Sequence, residues 1–241
     1  MGSAPDCASE AQARELVMRV PALEGHRLWA STYDRILNPV IALESRMLAN
    51  LLCPIDRQCF LDVACGTGRW TAHLRQEGGF AFGIDASPEM LSKACSKKNL
   101  HGRLVLANAA NLPFRDRVAD VTLCSFAAGY FNSLRRVMAE MARVTRHGGR
   151  VILSDLHPAG IAAGWTRSFR VDGSVYEMEH FSQSLDEFRN AGTEANLQLH
   201  IQIDAHFGDP ERAIFRASGK AQAFAELSLV PAVWIGIWHK V

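Results

Sequence analysis

The stretch FLDVACGTGRW, residues 60–70, decides the fold of this chain. It begins as an apolar run typical of a buried β-strand and ends in two closely spaced glycines, Gly66 and Gly68. Such a strand-to-glycine turn is typical of nucleotide-binding α/β proteins, because glycine lets the backbone pass close to a ligand. The stretch therefore predicts a nucleotide site and leaves open which nucleotide it binds.

Strands and helices alternate on the carboxyl side of this turn. Because strands that alternate with helices form parallel sheets through right-handed crossovers, the pattern predicts a sheet with helices on both faces. The predicted strands cover residues 59–64, 80–85, 103–108, 119–127 and 150–156, and the predicted helices cover about 68–76, 87–96 and 134–144.

The two ends of the chain follow a different pattern. On the amino side we predict an amphipathic helix over 9–20 stopped by Pro21, a break at Gly25 and a helix over 39–52. On the carboxyl side we predict a hairpin over 169–181, a helix over 184–192, a helical stretch over about 210–227, and strands over 197–207 and 231–241.

Composition excludes several classes of function. The chain has 241 residues, 48% of them hydrophobic, which suits one sizeable α/β domain. A formal net charge of +1 gives no electrostatic footprint for nucleic acid or an acidic membrane. The six cysteines form no C-x-x-C pair, so no metal site is indicated. With neither a secretory leader nor an apolar span in the sequence, we expect a cytoplasmic protein with reduced thiols.

Two carboxylates indicate the charge of the ligand. Thr71 stands where the dinucleotide fingerprint has its third glycine or alanine, which disfavours a nicotinamide enzyme. Asp62 near the end of its strand would repel a pyrophosphate and suits a cation; alternatively it is a buried cap of the following turn. Asp85 ends the next strand, where a carboxylate accepts hydrogen bonds from ribose hydroxyls. A nucleoside joined to a cation, such as S-adenosylmethionine (SAM), fits both positions.

At these residues the chain resembles the class I SAM-dependent methyltransferases, in the group of ubiquinone/menaquinone-biosynthesis-like small-molecule enzymes. The resemblance covers roughly residues 29–156, and the part after 157 matches only in outline. The matching stretches, in order, are YD (33–34), LDVACGTGRW (61–70), GIDASPEML (83–91), ANAANLPF (107–114), ADVTLCSF (119–126) and EMARVTRHGGRVILSDL (140–156).

The resemblance implies roles for the matching residues. Asp62 contacts the methionine ammonium, and Asp85 holds the ribose. Asn108, where the family often has Asp, accepts from the adenine edge, and Ala64 replaces a usual glycine. Met90 packs against the adenine, Ser125 and Phe126 border the sulfonium, and Tyr33 lies in the lid. The full set of implied cofactor-binding residues is Tyr33, Asp62, Ala64, Gly66, Gly68, Asp85, Ala86, Met90, Asn108, Ala109, Ser125 and Phe126.

Further candidates lie beyond the matching stretches. His157 follows the fifth strand and is a candidate general base, with a loop histidine as the alternative. Two arginines among aromatic residues would favour an anionic or aromatic acceptor, although the segment could also be a solvated hairpin. We expect Trp234 and Trp238 to pack in the core. The candidate acceptor-binding residues are Trp165, Arg167, Arg170 and Tyr176.

We therefore predict an α/β fold with a Rossmann-like, doubly wound, seven-stranded sheet, mostly parallel with an antiparallel last strand. Residues 1–52 form an N-terminal helical lid, and residues 53–241 form the SAM-binding domain with cap insertions at about 157–183 and 208–228. The predicted function is methyl transfer from SAM to a small-molecule acceptor by a monomer or homodimer. The alternative is a SAM-binding protein without transferase activity.

Overall fold

The computed structural model describes residues 16–35 and 37–241. The strands are β1 (Val17–Val20), β2 (Cys59–Val63), β3 (Phe80–Asp85), β4 (Leu104–Leu106), β5 (Ala119–Ser125), β6 (Thr145–Leu156), β7 (Ser168–Val171), β8 (Ser174–Met178), β9 (Leu197–Ala205) and β10 (Val233–Lys240). The helices are α1 (Ala22–Trp29), α2 (Pro39–Leu51), α3 (Arg69–Gln76), α4 (Pro88–Cys95), α5 (Leu134–Val144), α6 (Pro158–Ala162), α7 (Leu185–Glu194), α8 (Asp209–Ala217) and α9 (Ala221–Leu227), with short 3₁₀ turns at Tyr33–Arg35, Lys98–Leu100 and Ala128–Tyr130.

The main sheet has seven strands in the order β4-β3-β2-β5-β6-β10-β9. Strand β10 runs antiparallel to both of its neighbours, and the other pairings are parallel. This arrangement confirms the predicted fold class. The chain leaves β2 toward β4 and returns on the other side of β2 at β5, so a switch point lies between β2 and β5. Open α/β sheets bind ligands at the carboxyl ends of the strands beside such a point.

Apolar clusters cover both faces of this sheet. Trp234 and Trp238 are fully buried on one face, and Phe188 of α7 stacks on Trp234 with the ring centroids 4.3 Å apart. Gly192 makes room for Trp238, since a Cβ atom there would lie 2.2 Å from the indole nitrogen. The predicted core packing of both tryptophans is confirmed. The opposite face is covered by α2, α3 and α8.

The amino-terminal segment differs from the prediction. Residues 9–15 of the predicted 9–20 helix lie outside the described part. Residues 17–20 form strand β1, so the predicted helix is wrong there. Strand β1 pairs in parallel with β8, which pairs with β7 in a second, three-stranded sheet. Gly25 does not break the chain but lies within α1. A Cβ atom at Gly25 would lie 2.4 Å from the Met178 side chain, so glycine lets α1 approach the small sheet.

The carboxyl-terminal segments follow the prediction with one correction. The hairpin β7–β8 turns at Asp172 and Gly173, both with positive φ, as the sequence predicts. The helical stretch predicted over about 210–227 is divided into α8 and α9. Gly219 between them has a φ of +71°, which ends the first helix in the left-handed region.

Candidate functional site

A cavity of about 450 Å³ opens at the carboxyl ends of β2, β3 and β5, beside the switch point. Helix α1 and the 3₁₀ turn at Tyr33–Arg35 cover it. The volume falls within the range of about 300–1,000 Å³ that is typical of small-molecule sites. The structure brings eleven of the twelve predicted cofactor residues to its wall: Tyr33, Asp62, Ala64, Gly66, Asp85, Ala86, Met90, Asn108, Ala109, Ser125 and Phe126.

The backbone conformation of the glycine turn accounts for the small residues found there. Ala64, Gly66 and Gly68 have φ values of 57°, 56° and 75°, in the left-handed region that favours glycine. A Cβ atom at Gly66 would meet no atom within 4 Å, so this glycine leaves open space on the cavity side. Gly68, by contrast, does not line the cavity. Its φ of 75° favours glycine, and a Cβ atom there would lie 2.6 Å from a methyl group of Leu100, which would have to move.

Asp62 is buried at the end of β2 and borders the cavity. Its Oδ2 accepts hydrogen bonds from the Thr71 backbone nitrogen at 2.9 Å and the Thr71 hydroxyl at 2.6 Å. Burial raises the pKa of Asp62 to about 6, against the hydrogen bonds from Thr71 that lower it. One oxygen of Asp62 therefore holds the turn, as the alternative interpretation predicts, and the side chain also borders the cavity.

Asp85 connects the second strand to the glycine turn. Its Oδ2 accepts from the Gly66 nitrogen at 2.7 Å, and its Oδ1 accepts from the Ser87 nitrogen at 2.8 Å. Each carboxylate oxygen has a further lone pair for a ligand hydroxyl. The side-chain oxygen of Asn108 likewise accepts from the Ala110 nitrogen at 2.8 Å, so its remaining lone pair is the one available to a ligand.

A buried carboxylate that the sequence analysis missed joins the lid to the sheet. Glu44 of α2 is fully buried and accepts hydrogen bonds from Ser125 at 2.7 Å and Ser154 at 2.8 Å. Arg69, which lines the cavity, donates to Glu44 at 2.9 Å, and the Trp70 indole donates at 3.2 Å. The sequence did contain a signal, since position 44 lies on the apolar face of the predicted helix.

The lid is also fastened to the glycine turn. Asp34 accepts a hydrogen bond from the Thr67 hydroxyl at 2.7 Å and pairs with Lys97 at 3.1 Å. Lys97 donates to the Thr67 carbonyl at 2.7 Å as well. The 3₁₀ turn that carries Tyr33 is therefore held over the cavity, and burial raises the pKa of Tyr33 to about 12.

A second cavity of about 120 Å³ lies between the lid and the small sheet. Aromatic and polar side chains from α1, the 3₁₀ turn, the segment after β5 and strand β7 form its wall. Among the described residues, four line both cavities and thus surround their junction: His26, Tyr33, Phe126 and Tyr130.

Of the four predicted acceptor residues, only Arg167 lines a cavity, the smaller one. Its guanidinium is buried, pairs with Asp155 and stacks over the Tyr130 ring, so its charge is compensated. Trp165 stacks on Phe207 instead, with the ring centroids 6.0 Å apart.

The other two predicted acceptor residues lie on the hairpin. Tyr176 stacks on Phe169, which in turn stacks on Trp29 of the smaller cavity. Arg170 is exposed, and neither it nor Tyr176 lines either of the two cavities. The hairpin therefore supports the wall of the smaller cavity, and neither predicted arginine offers an uncompensated charge there.

The structure places His157 outside both cavities, where its side chain has a structural role. Its Nδ1 accepts from the Ala159 nitrogen at 3.0 Å as the cap of α6, and its Nε2 lies 3.2 Å from Asp204. His157 is buried and lines neither of the two cavities. Its place at the end of a strand suggested catalysis, but the side chain turns away to stabilise the following helix.

Within residues 16–35 and 37–241, no group of three or more His, Cys, Asp or Glu residues could hold a metal ion. The helices of this part of the chain are also too short or too polar to cross a membrane.

Comparison with known proteins gives a consistent picture. Residues 61–153 match the family model of a methyltransferase domain. The chain is 30% identical over 178 residues to a malonyl-[acyl-carrier protein] O-methyltransferase of Pectobacterium atrosepticum, covering 73% of this chain and 62% of that protein. It is 31% identical over 141 residues to a demethylmenaquinone methyltransferase of Shouchella clausii, covering 53% and 60%.

A solved structure of an S-adenosylmethionine-dependent methyltransferase from Mesorhizobium loti superposes with a TM-score of 0.66 at 16% identity, covering 84% of this chain and 100% of that one. At this identity the likeness supports the fold alone. Three of the matches to curated relatives span between about one third and three fifths of the length of those proteins, from 34% to 62%, and a fourth spans 73%.

Proposed function

We propose that the chain is a class I SAM-dependent methyltransferase of the ubiquinone/menaquinone-biosynthesis type and that it transfers the methyl group of SAM to a small-molecule acceptor. The observation that carries the proposal is the pair of adjoining cavities at the switch point of the sheet. A donor cavity that opens on an acceptor cavity favours a transferase over a protein that only binds SAM.

The residues of the larger cavity fit the cofactor. Asp62 offers a buried carboxylate for the methionine ammonium, and Asp85 offers lone pairs for the ribose hydroxyls. The open space beside Gly66 suits the close approach of a ligand. Arg69 points its partly exposed guanidinium to the same cavity and is suited to the methionine carboxylate.

The remaining predicted residues complete this assignment. We propose that Met90 and Ala109 contact the adenine, with Asn108 as acceptor for its amino group. Ser125 and Phe126 border the methyl group that is transferred. Bound SAM supplies an activated methyl group, so the protein's own contribution is mainly alignment and the exclusion of water by the lid.

The proposal also covers the domain organisation, location, oligomeric state and partners of the protein. Residues 1–52 act as the lid, and the segments at about 157–183 and 208–228 act as insertions in the SAM-binding domain. The protein acts as a cytoplasmic monomer or homodimer, without nucleic acid or membrane as partner.

The test is the affinity for S-adenosylhomocysteine, measured by titration calorimetry. Asp85→Ala should weaken binding roughly tenfold to hundredfold, because hydrogen bonds to a charged group contribute about 1.5–3 kcal/mol. Asp186→Ala is the matched control, since this carboxylate is exposed on α7 and lines neither of the two cavities. Unchanged affinity in a folded Asp85→Ala protein would refute the assignment of the ribose site.

A further inference from the structure

We propose that the smaller cavity binds a compact, uncharged hydroxyaromatic acceptor and that His26 of the lid is the general base that takes its proton. This inference rests on the proposed function and adds to it an acceptor class and a catalytic residue. The sequence analysis identified neither, since His26 lies in none of the stretches that carry the resemblance.

The volume of the smaller cavity and the residues that line it favour an acceptor with a single aromatic ring. Its volume of about 120 Å³ is slightly below the roughly 150 Å³ of an engineered cavity that binds benzene. Trp29, Tyr33, Phe126 and Tyr130 contribute aromatic faces to the wall. Aromatic rings prefer stacked or edge-on contacts with other rings, so this wall favours a flat aromatic acceptor over an aliphatic chain.

The charges around the cavity favour a neutral acceptor. Arg167 is the cationic residue of the wall, and its guanidinium is already paired with Asp155. Asp155 is in turn held by the backbone nitrogens of Gly129 at 2.7 Å and Leu156 at 2.7 Å. A carboxylate on the acceptor would have to compete with this buried, fully hydrogen-bonded anion. The predicted anionic acceptor is therefore replaced by an uncharged one.

His26 has the right position for the base. The methyl group must pass from one cavity to the other, so the reacting atoms meet at the junction. The four residues there are His26, Tyr33, Phe126 and Tyr130. Burial raises the pKa of both tyrosines, so both stay protonated at neutral pH. Phenylalanine has no basic atom, which leaves the imidazole as the proton acceptor of the junction.

The surroundings of His26 keep its imidazole neutral. Burial lowers its pKa below the ordinary value of 6.5, and the cationic Arg167 lowers it further. The charge of Asp85 opposes this change. A neutral imidazole carries a proton on one ring nitrogen and a lone pair on the other, which is the atom that can accept a proton. The Tyr130 ring packs edge-on against the imidazole at 4.9 Å and restrains its orientation.

In the proposed step, every bond, proton and charge is accounted for. The acceptor oxygen forms a bond to the methyl carbon while the carbon–sulfur bond breaks, and the electron pair of that bond remains on sulfur. The hydroxyl proton passes to the free nitrogen of His26. The positive charge of the sulfonium thus reappears on the imidazolium, which loses its proton to solvent when the products leave.

Binding is tested first, on the complex with S-adenosylhomocysteine. Calorimetry of that ligand establishes cofactor binding independently. Phenol and benzoate are then added to the complex with ¹⁵N-labelled histidine, and the imidazole signals are recorded by NMR. We expect phenol to shift the His26 signals and benzoate to leave them unchanged at equal concentration. Normal binding of S-adenosylhomocysteine with no response to phenol would overturn this inference and leave the proposed function intact.

Kinetics then test the base. With SAM and phenol, formation of S-adenosylhomocysteine by His26→Gln should fall about 10²–10⁴-fold, the usual contribution of a general base. The pH profile separates a base from a structural role. At saturating SAM the wild-type turnover number with phenol should fall as pH decreases and His26 becomes protonated, whereas His26→Gln should lack this fall. His101→Gln, a change at an exposed histidine, is the control and should behave as wild type.

Three results would overturn the inference. One is a wild-type protein that binds S-adenosylhomocysteine but does not methylate phenol. Another is a His26→Gln protein with wild-type rates. The third is a His26→Gln protein that loses activity but keeps the wild-type fall in turnover at low pH, which would assign His26 a structural role. Failure to bind S-adenosylhomocysteine at all would instead refute the proposed function.

Discussion

The raised pKa of Asp62 makes cofactor binding dependent on pH. With a pKa of about 6 in the free protein, this carboxylate is roughly nine tenths ionised at pH 7 and roughly one tenth ionised at pH 5. Only the ionised form attracts the ammonium of the ligand. The affinity for S-adenosylhomocysteine should therefore fall about tenfold between pH 7 and pH 5, which corresponds to about 1.4 kcal/mol.

The direction in which the pKa of Asp62 is shifted determines how ligand affinity changes with pH. Burial disfavours the charged form of Asp62 and raises its pKa, whereas a bound ammonium favours the charged form and lowers it. Binding below about pH 6 must then release a proton, and binding at pH 7 or above releases almost none. Calorimetry at pH 6 in two buffers with different ionisation enthalpies should detect release of about half a proton per ligand.

Two controls separate Asp62 from other groups that titrate nearby, His26 among them. Asp62→Asn should bind S-adenosylhomocysteine weakly and with an almost constant dissociation constant from pH 5 to pH 7. Adenosine, which lacks the ammonium, should bind the wild-type protein with little dependence on pH. The reasoning is refuted if wild-type affinity is the same at both pH values, or if Asp62→Asn keeps the tenfold change.

Three further predictions concern stability and the role of single residues. Glu44→Gln should lower the free energy of unfolding in urea by about 3 kcal/mol, because Arg69 loses a buried partner, whereas Glu24→Gln on the exposed face of α1 should leave the midpoint unchanged. Ala64→Gly should raise the free energy of unfolding by about 0.5–1 kcal/mol, since relief of the left-handed strain outweighs the entropy of glycine; a lower melting temperature would contradict it. His157→Ala should cost about 1 kcal/mol as a lost helix cap, His157→Asn should restore it, and neither should change the turnover number with phenol.

The sequence predicts most of the residues that line the larger cavity, because most of them lie in short, continuous stretches of the chain. Strand β3 and helix α5 begin and end where the apolar pattern predicts. Most of the predicted cofactor residues lie in the last residues of a strand or shortly after it, and the ends of parallel strands meet at one edge of the sheet. Ala64 stands where the family usually has glycine. Its φ of 57° lies in the left-handed region, which explains why glycine is usual at this position.

The acceptor half could not be predicted because its parts are distant in the chain. Strand β1 forms by pairing with β8, more than 150 residues away, and local propensity carries no information about that partner. The break predicted at Gly25 was wrong for the same reason, since its glycine serves a contact with Met178. Without β1 and α1 in place, nothing in the sequence brings His26 or Trp29 to the cofactor.

Arg167 and Arg170 show that proximity in the sequence is a poor guide to which charged residues pair in the structure. Arg167 and Arg170 are close in sequence to aromatic residues, and a count of cations predicts an anion as partner. In the structure the partner of Arg167 is Asp155, which lies twelve positions earlier at the end of β6 and was assigned no role. An arginine that is compensated within the protein acts as part of the wall and as a support for Tyr130. The specificity that we propose for this site therefore rests on ring shape and on the neutral imidazole of His26, and the charge of Arg167 is already compensated within the protein.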